Sequence, residues 1–219
     1  HQDFLLRSLR HIGIPDPAFN VVRALYDSCA STLCYAGDRW GTVQQEVAIR
    51  QGCPLSPLLF AAALDPFLRQ LQRQSLLDLL RAFADDIALV LRCLQSALPR
   101  LRRLFDGLAT VSNLHLNFPK TVIIPLWETS TRRIHRVLEA LHPDWGRIDV
   151  SYTGKYLGFY IGPHKQELTW AAAGKKMLER AALWDWRSLG LYYATAAYNL
   201  YVASLPTFVA QLEVPPLAF

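Results

Sequence analysis

The sequence predicts an α+β domain followed by a helical region, and three observations carry that expectation. Up to residue 161, runs with helical spacing of apolar residues alternate with short strand-like runs, whereas beyond Gly162-Pro163 only helical spacing remains. Two adjacent aspartates, Asp85 and Asp86, interrupt an apolar run over residues 81–91. Asp is depleted from strands and favoured in turns, so this run reads as strand, tight turn, strand. Finally, 52% of the 219 residues are hydrophobic and 11% aromatic, ample for a core and unlike a disordered chain.

The elements follow in order. Residues 2–10 carry apolar positions at helical spacing and are closed by Gly13 and Pro15. Asp16-Pro17, a cap followed by a first-turn proline, starts a second helix that runs to about Cys29. Residues 31–35 and 42–49 read as two strands around the turn Gly37-Asp38. After the Gly52-Cys53-Pro54 loop, Ser56 as cap and Pro57 in the first turn begin a helix reaching about Gln72. The aspartate hairpin comes next, then an amphipathic helix over 94–111, a strand over 120–126 and a helix over 131–141 ended by His142-Pro143. Residues 148–152 and 155–161 are expected to pair as strands. Two long helices, about 168–186 and 191–212, complete the chain; their Trp and Tyr residues sit at helical spacing and read mainly as core between them.

Composition narrows the functional classes. The net charge of +5 fits a polyanionic partner without demanding one. Cys29, Cys34, Cys53 and Cys93 have no paired metal-ligand spacing and read as reduced intracellular thiols. His11, His115, His135, His142 and His164 are scattered and form no zinc pattern. No apolar run is long enough to span a bilayer, so no membrane partner is expected. No signal peptide opens the chain, and Met177 is its only methionine, so His1 reads as the middle of a longer protein.

Three segments carry chemistry. A carboxylate in apolar surroundings is paired, protonated or given to a metal. On a hairpin turn, Asp85 and Asp86 present two hard oxygen ligands together, a half-site for Mg²⁺; the plain alternative is an ordinary turn. Arg50-Gln51-Gly52 offers a cation, an amide and a residue with no Cβ, just ahead of a helix N-terminus that favours a nearby anion. On the first of the two long helices, Lys175, Lys176 and Arg180 suit contacts to nucleic-acid phosphates. Arg132, Arg133 and Arg136 share another helix, either as phosphate contacts or as a solvated face.

Arg50-Gln51-Gly52-Cys53-Pro54-Leu55-Ser56-Pro57, then Phe83-Ala84-Asp85-Asp86, then Leu116-Asn117-Phe118-Pro119-Lys120-Thr121, then Tyr156-Leu157-Gly158-Phe159 form an ordered series. It resembles the successive motifs B, C, D and E of reverse transcriptases, most closely those of non-LTR (LINE-type) retrotransposons. The resemblance covers residues 1–165 and implies a right-hand polymerase palm, an antiparallel sheet backed by helices, with part of the fingers. Residues 166–219 would begin a helical thumb. The implied activity is RNA-directed DNA synthesis from an RNA template and a DNA primer with deoxynucleoside triphosphates, supported by two Mg²⁺ ions.

By position, Asp85 and Asp86 match the catalytic metal-binding pair, with Asp86 less directly involved. Arg50, Gln51 and Gly52 match the loop beside the incoming nucleotide and template, Lys120 a lysine near the triphosphate, and Leu157 and Gly158 the primer grip. The sequence departs from the family in three ways. Phe83 stands where Tyr is common, the stretch from Phe60 to Phe83 is short, and the strand carrying a further aspartate (motif A) is missing along with most of the fingers. The chain therefore reads as a piece of a reverse transcriptase, inactive alone, whose missing N-terminal region belongs to a parent polyprotein. Target-primed integration would place it in the nucleus. The alternatives are a dead retroelement relic that at most binds nucleic acid, and a group II intron lineage.

Overall fold

The computed structural model describes residues 1–27, 29–44, 49–165 and 168–217. The chain forms two compact units, His1–Asn117 and Phe118–Phe219. The sequence-based division at residue 165 is one of family function and differs from this division by packing.

In the first unit, α1 (Gln2–Ile12) ends at Gly13, whose φ of 84° closes the helix in the left-handed region. Next, α2 (Asp16–Tyr26) begins with Pro17 in its first turn, and β1 (Ala30–Tyr35) and β2 (Asp38–Gln44) form an exposed antiparallel hairpin. Its two-residue loop is Ala36-Gly37, with Tyr35 opposite Asp38. The part of the expected second strand over residues 45–48 lies outside the described residues. A long helix, α3 (Ser56–Gln72), precedes the hairpin of β3 (Leu77–Phe83) and β4 (Asp86–Leu91), and α4 (Leu94–Ser112) closes the unit. Helical periodicity sets the core: Leu5 and Leu9 of α1, Phe19, Val22 and Tyr26 of α2, and Leu59 and Ala63 of α3 bury one another. Farther along α3, Phe67 meets Phe105 of α4 edge-on at 5.1 Å.

In the second unit the expected strand over 120–126 is mostly something else. Phe118–Lys120 is a 3₁₀ turn and only β5 (Val122–Ile123) is strand. Pro119 and Pro125, each lacking an amide donor, bracket the segment and leave little room for a ladder. A crossover through α5 (Thr131–Leu141) brings β6 (Asp149–Val150) parallel to β5. The expected pairing of 148–152 with 155–161 is therefore corrected: the second segment folds on itself as β7 (Gly154–Tyr156) and β8 (Phe159–Ile161). The loop Leu157-Gly158 has φ of 48° and 92°, two positive values as a tight two-residue hairpin turn requires.

The tail is helical, with α6 (Leu168–Ala182), α7 (Gly190–Ala197), a π-helical segment (Tyr198–Ala203) and α8 (Ser204–Ala210). The single helix expected over 191–212 is interrupted. Pro206 has no amide for the carbonyl of Val202, and the wide π turn lies there. Helix α6 ends at Ala182, earlier than expected: the Leu183 N–H turns back to the Arg180 carbonyl at 3.2 Å, and farther on Asp185 Oδ1 accepts from the Arg187 N–H at 3.3 Å in a second turn. The expectation that the Trp and Tyr residues of this region are mainly core holds for the Trp residues and not for these Tyr residues: Trp170 is buried and Trp184 and Trp186 are half-buried, whereas Tyr192, Tyr193, Tyr198 and Tyr201 are exposed.

The fold is thus α+β, mixed helices and small sheets. The described strands make four separate two-stranded sheets, three antiparallel and one parallel, rather than one larger antiparallel sheet.

Candidate active site

The Asp85-Asp86 pair lies where the sequence expects it, at the tip of a two-stranded hairpin. Phe83 pairs with Asp86 across the ladder, so the loop is Ala84-Asp85, and Asp86 is the first residue of β4 rather than a turn residue. Ala84 adopts φ of 51°, an uncommon value for a residue with a Cβ and a sign of local strain beside the two carboxylates. Both aspartates are exposed. Among the described residues neither side chain makes an ion pair or hydrogen bond. The hairpin's base is tied instead: an extra residue, Asp78, bulges from β3 and its carboxylate pairs with Arg92. Phe83, next to the pair, is 66% exposed.

The Gly52 loop is held from both sides. Arg50 Nε donates to the buried Cys29 Sγ at 2.6 Å, and the Arg50 carbonyl accepts from the Ser56 hydroxyl. Ser56 is therefore not the helix cap it was expected to be; it is the first residue of α3 after Leu55, and its hydroxyl closes the loop. Gly52 has φ of 85°, and a Cβ placed there would meet nothing within 4 Å. The glycine is required for its backbone conformation, and the space beside it is open. Next to it, the Leu55 amide lowers the Cys53 pKa from its ordinary value; desolvation opposes it as the next largest effect, and the Ser56 hydroxyl and amide and the Arg50 charge lower it further. Independently of the thiol, the N-terminus of α3 favours a nearby anion through its backbone N–H groups.

Arg50, Gln51, Gly52, Asp85 and Asp86 all belong to the first unit. Lys120, Leu157, Gly158, Lys175, Lys176 and Arg180 belong to the second. There, Lys120 ends the 3₁₀ turn, and Leu157-Gly158 forms the β7–β8 loop. Gly158 is packed from within: a Cβ would come 3.0 Å from Phe208 Cε1. Lys175 lies 3.9 Å from Glu179, and Arg180 donates from Nη1 to the Tyr201 carbonyl at 3.0 Å. Sequence reasoning missed Cys29 as the brace of the Gly52 loop. Buried cysteine reads as a small hydrophobe, and a partner 21 residues away leaves no local signal.

Two adjacent unpartnered carboxylates are chemically a half-site for a hard divalent cation. Among the described residues no group of three or more His, Cys, Asp or Glu side chains could hold a metal. The pair fits Mg²⁺ in the way that ion is commonly held, through one or two carboxylates with waters and nucleotide phosphates as its other ligands. The family model for reverse transcriptase (RNA-dependent DNA polymerase) matches residues 1–161, and the chain belongs to that family. Its function is RNA-directed DNA synthesis, a nucleotidyl transfer. The family binds nucleic-acid template, primer and deoxynucleoside triphosphates and uses divalent metal ions.

Proposed function

We propose that the chain is the palm and the start of the thumb of a non-LTR retrotransposon reverse transcriptase, with Asp85 and Asp86 as its metal-binding carboxylates. The carrying observation is the hairpin tip, where two exposed carboxylates stand free of partners beside a strained Ala84. Two divalent ions, when bound, activate the primer 3′ oxygen and stabilise the leaving pyrophosphate. Asp85 holds and orients that charge, and Asp86 supports it from the adjacent strand position. Gln51 and Gly52 take the incoming nucleotide and template base in the open space beside Gly52, and the anion-favouring start of α3 suits a phosphate. Arg50, through Cys29 and Ser56, positions that loop.

In this reading Lys120 approaches the triphosphate, Leu157 and Gly158 form the primer grip, and Lys175, Lys176 and Arg180 hold backbone phosphates. The β3–β4 hairpin joins a larger palm sheet with a strand from a preceding region, which brings a further carboxylate. Residues 1–219 alone are inactive on this reading. The test is made in the protein extended by that region, with extension and binding measured side by side. Asp85→Asn abolishes primer extension and leaves primer-template affinity nearly intact, because Asn keeps the shape and removes the charge. Replacing Lys175 and Lys176 by Ala weakens binding, flattens its salt dependence and spares the chemical step. Extension at the parental rate by Asp85→Asn would reduce the aspartate pair to a plain turn.

A further inference from the structure

We propose that the turn between α6 and α7, with the π-helical segment, is a stacking platform for unpaired bases of a single-stranded nucleic acid. Trp184 stacks on Tyr201 with ring centroids 5.3 Å apart and planes at 29°. Trp186 lies 6.0 Å from Trp184 at 32°, and Tyr198 meets Trp186 edge-on at 6.2 Å. The array is fixed in place: Trp186 Nε1 donates to the Ala181 carbonyl at 2.7 Å, and Arg180 Nη1 donates to the Tyr201 carbonyl at 3.0 Å. Two of the four rings, Tyr198 and Tyr201, are at the surface, and the other two, Trp184 and Trp186, are half-buried. Within the π-helical segment Val202 is the buried residue, while Tyr198 and Tyr201 are 43% and 44% exposed.

Charge identifies the occupant. Lys176 and Arg180 lie one helical turn apart on α6 and lead toward Trp184. Across residues 175–187, Lys175, Lys176, Arg180 and Arg187 outnumber Glu179 and Asp185. Flat apolar ring faces beside cations are what a single strand uses, its bases stacking and its phosphates neutralised. In a duplex the base faces are already covered by their neighbours, so a duplex gains only the cations. A second copy of the chain would bring this excess of positive charge against itself. The platform is separate from the aspartate hairpin but shares Lys175, Lys176 and Arg180 with the proposed function and deepens that reading; its test turns on the Tyr201 ring, so it can fail while the phosphate contacts stand.

The test uses the 219-residue chain with a labelled 12-nucleotide oligo(U) and a blunt 12-base-pair RNA duplex, by fluorescence anisotropy. The unmodified chain prefers the single strand. Tyr201→Phe, which keeps the ring, binds as the parent does. Tyr201→Leu, similarly apolar but without a ring face, loses about 5- to 100-fold on the single strand and nothing on the duplex. Oligonucleotides carrying 4-thiouridine crosslink within residues 184–201 of the unmodified chain, which decides the matter even if Tyr201→Leu fails to fold. The proposal is overturned by equal binding of the Leu and Phe variants, by a preference for duplex, or by crosslinks that fall elsewhere. Sedimentation showing self-association that Tyr201→Leu abolishes, with strand binding unchanged, would assign the face to a second copy instead.

Discussion

Gly158 and Phe208 are in contact: the turn of the β7–β8 hairpin packs under the ring of α8, where a Cβ would meet Cε1 at 3.0 Å. Phe159, next in sequence, holds the same ring at 5.0 Å between centroids. A glycine expected to let a primer backbone approach is therefore used, on this face, by the chain itself. Gly158→Ala pays twice, once for a left-handed φ of 92° and once for the contact, together about 2–3 kcal/mol. Gly52→Ala, at φ of 85° with nothing within 4 Å, pays only the conformational cost of about 1–2 kcal/mol. Urea denaturation of the two variants decides it. Equal losses would mean that Phe208 moves aside freely.

The residue before it carries the opposite opportunity. Leu157 sits at φ of 48°, where its Cβ is strained. Asn is favoured at the first position of such a two-residue turn. Leu157→Asn is expected to raise stability by up to about 1 kcal/mol, seen as a higher denaturation midpoint. If Leu157 grips the primer as proposed, primer extension falls while stability rises, a split that separates a turn residue from a functional one.

Much of this was legible in the sequence because the governing signals are local. Apolar spacing and the start signal Ser56-Pro57 give α3 its observed span, and the two aspartates in an apolar run give the β3–β4 hairpin. The Arg50–Pro57 and Phe83–Asp86 segments point to the family that residues 1–161 match. What failed was non-local. The pairing of β5 with β6 depends on a crossover through α5, and residues that read as strands by composition found different partners. Likewise, helical spacing of aromatic residues marks a face but not what covers it; Trp170 turned inward whereas Tyr198 and Tyr201 did not.

The thiol of Cys53 offers a probe of the loop proposed to meet the nucleotide. Its pKa is lowered chiefly by the Leu55 amide, with Ser56 and Arg50 assisting. A lowered pKa means that the thiolate, the reactive form, persists to lower pH than in a free cysteine peptide. Alkylation at Cys53, followed by peptide mass spectrometry across pH 6–9, is therefore expected to rise at lower pH than in the peptide. Arg50→Ala removes both a charge and the brace to Cys29, and should shift the profile back toward the peptide's. An unchanged profile in that variant would show that Arg50 neither charges nor shapes the loop. Cys93, whose pKa is lowered mainly by the Ser96 hydroxyl, serves as an internal control that Arg50→Ala should leave alone.

The second unit's helical tail is fastened by a short polar chain whose links differ in strength. The Tyr160 N–H donates to Thr169 Oγ1 at 3.1 Å, Thr169 Oγ1 donates to Glu213 Oε1 at 3.3 Å, and Lys165 Nζ reaches the same oxygen at 3.1 Å. Thr169 is buried at 2% exposure, whereas the Lys165 side chain is 44% exposed. Removing the buried hydroxyl takes away the acceptor of the half-buried Tyr160 amide and a donor to Glu213; an unsatisfied buried donor costs about 1–3 kcal/mol, and part of that applies here. Thr169→Val is thus expected to be the worst of the three. Glu213→Ala leaves the Thr169 hydroxyl without its acceptor and also removes the screened Lys165 pair, but spares the Tyr160 bond, costing about 1–2 kcal/mol. Lys165→Ala loses a half-exposed ion pair, screened by solvent and worth at most about 1 kcal/mol. Salt separates the contributions: in high salt the Lys165→Ala loss shrinks toward zero while the Thr169→Val loss persists, because a buried neutral hydrogen bond is not screened. Urea melts at low and high ionic strength check both the order and its salt dependence. A Lys165→Ala loss as large as that of Thr169→Val would mean that the charge, not the buried hydroxyl, fastens the tail.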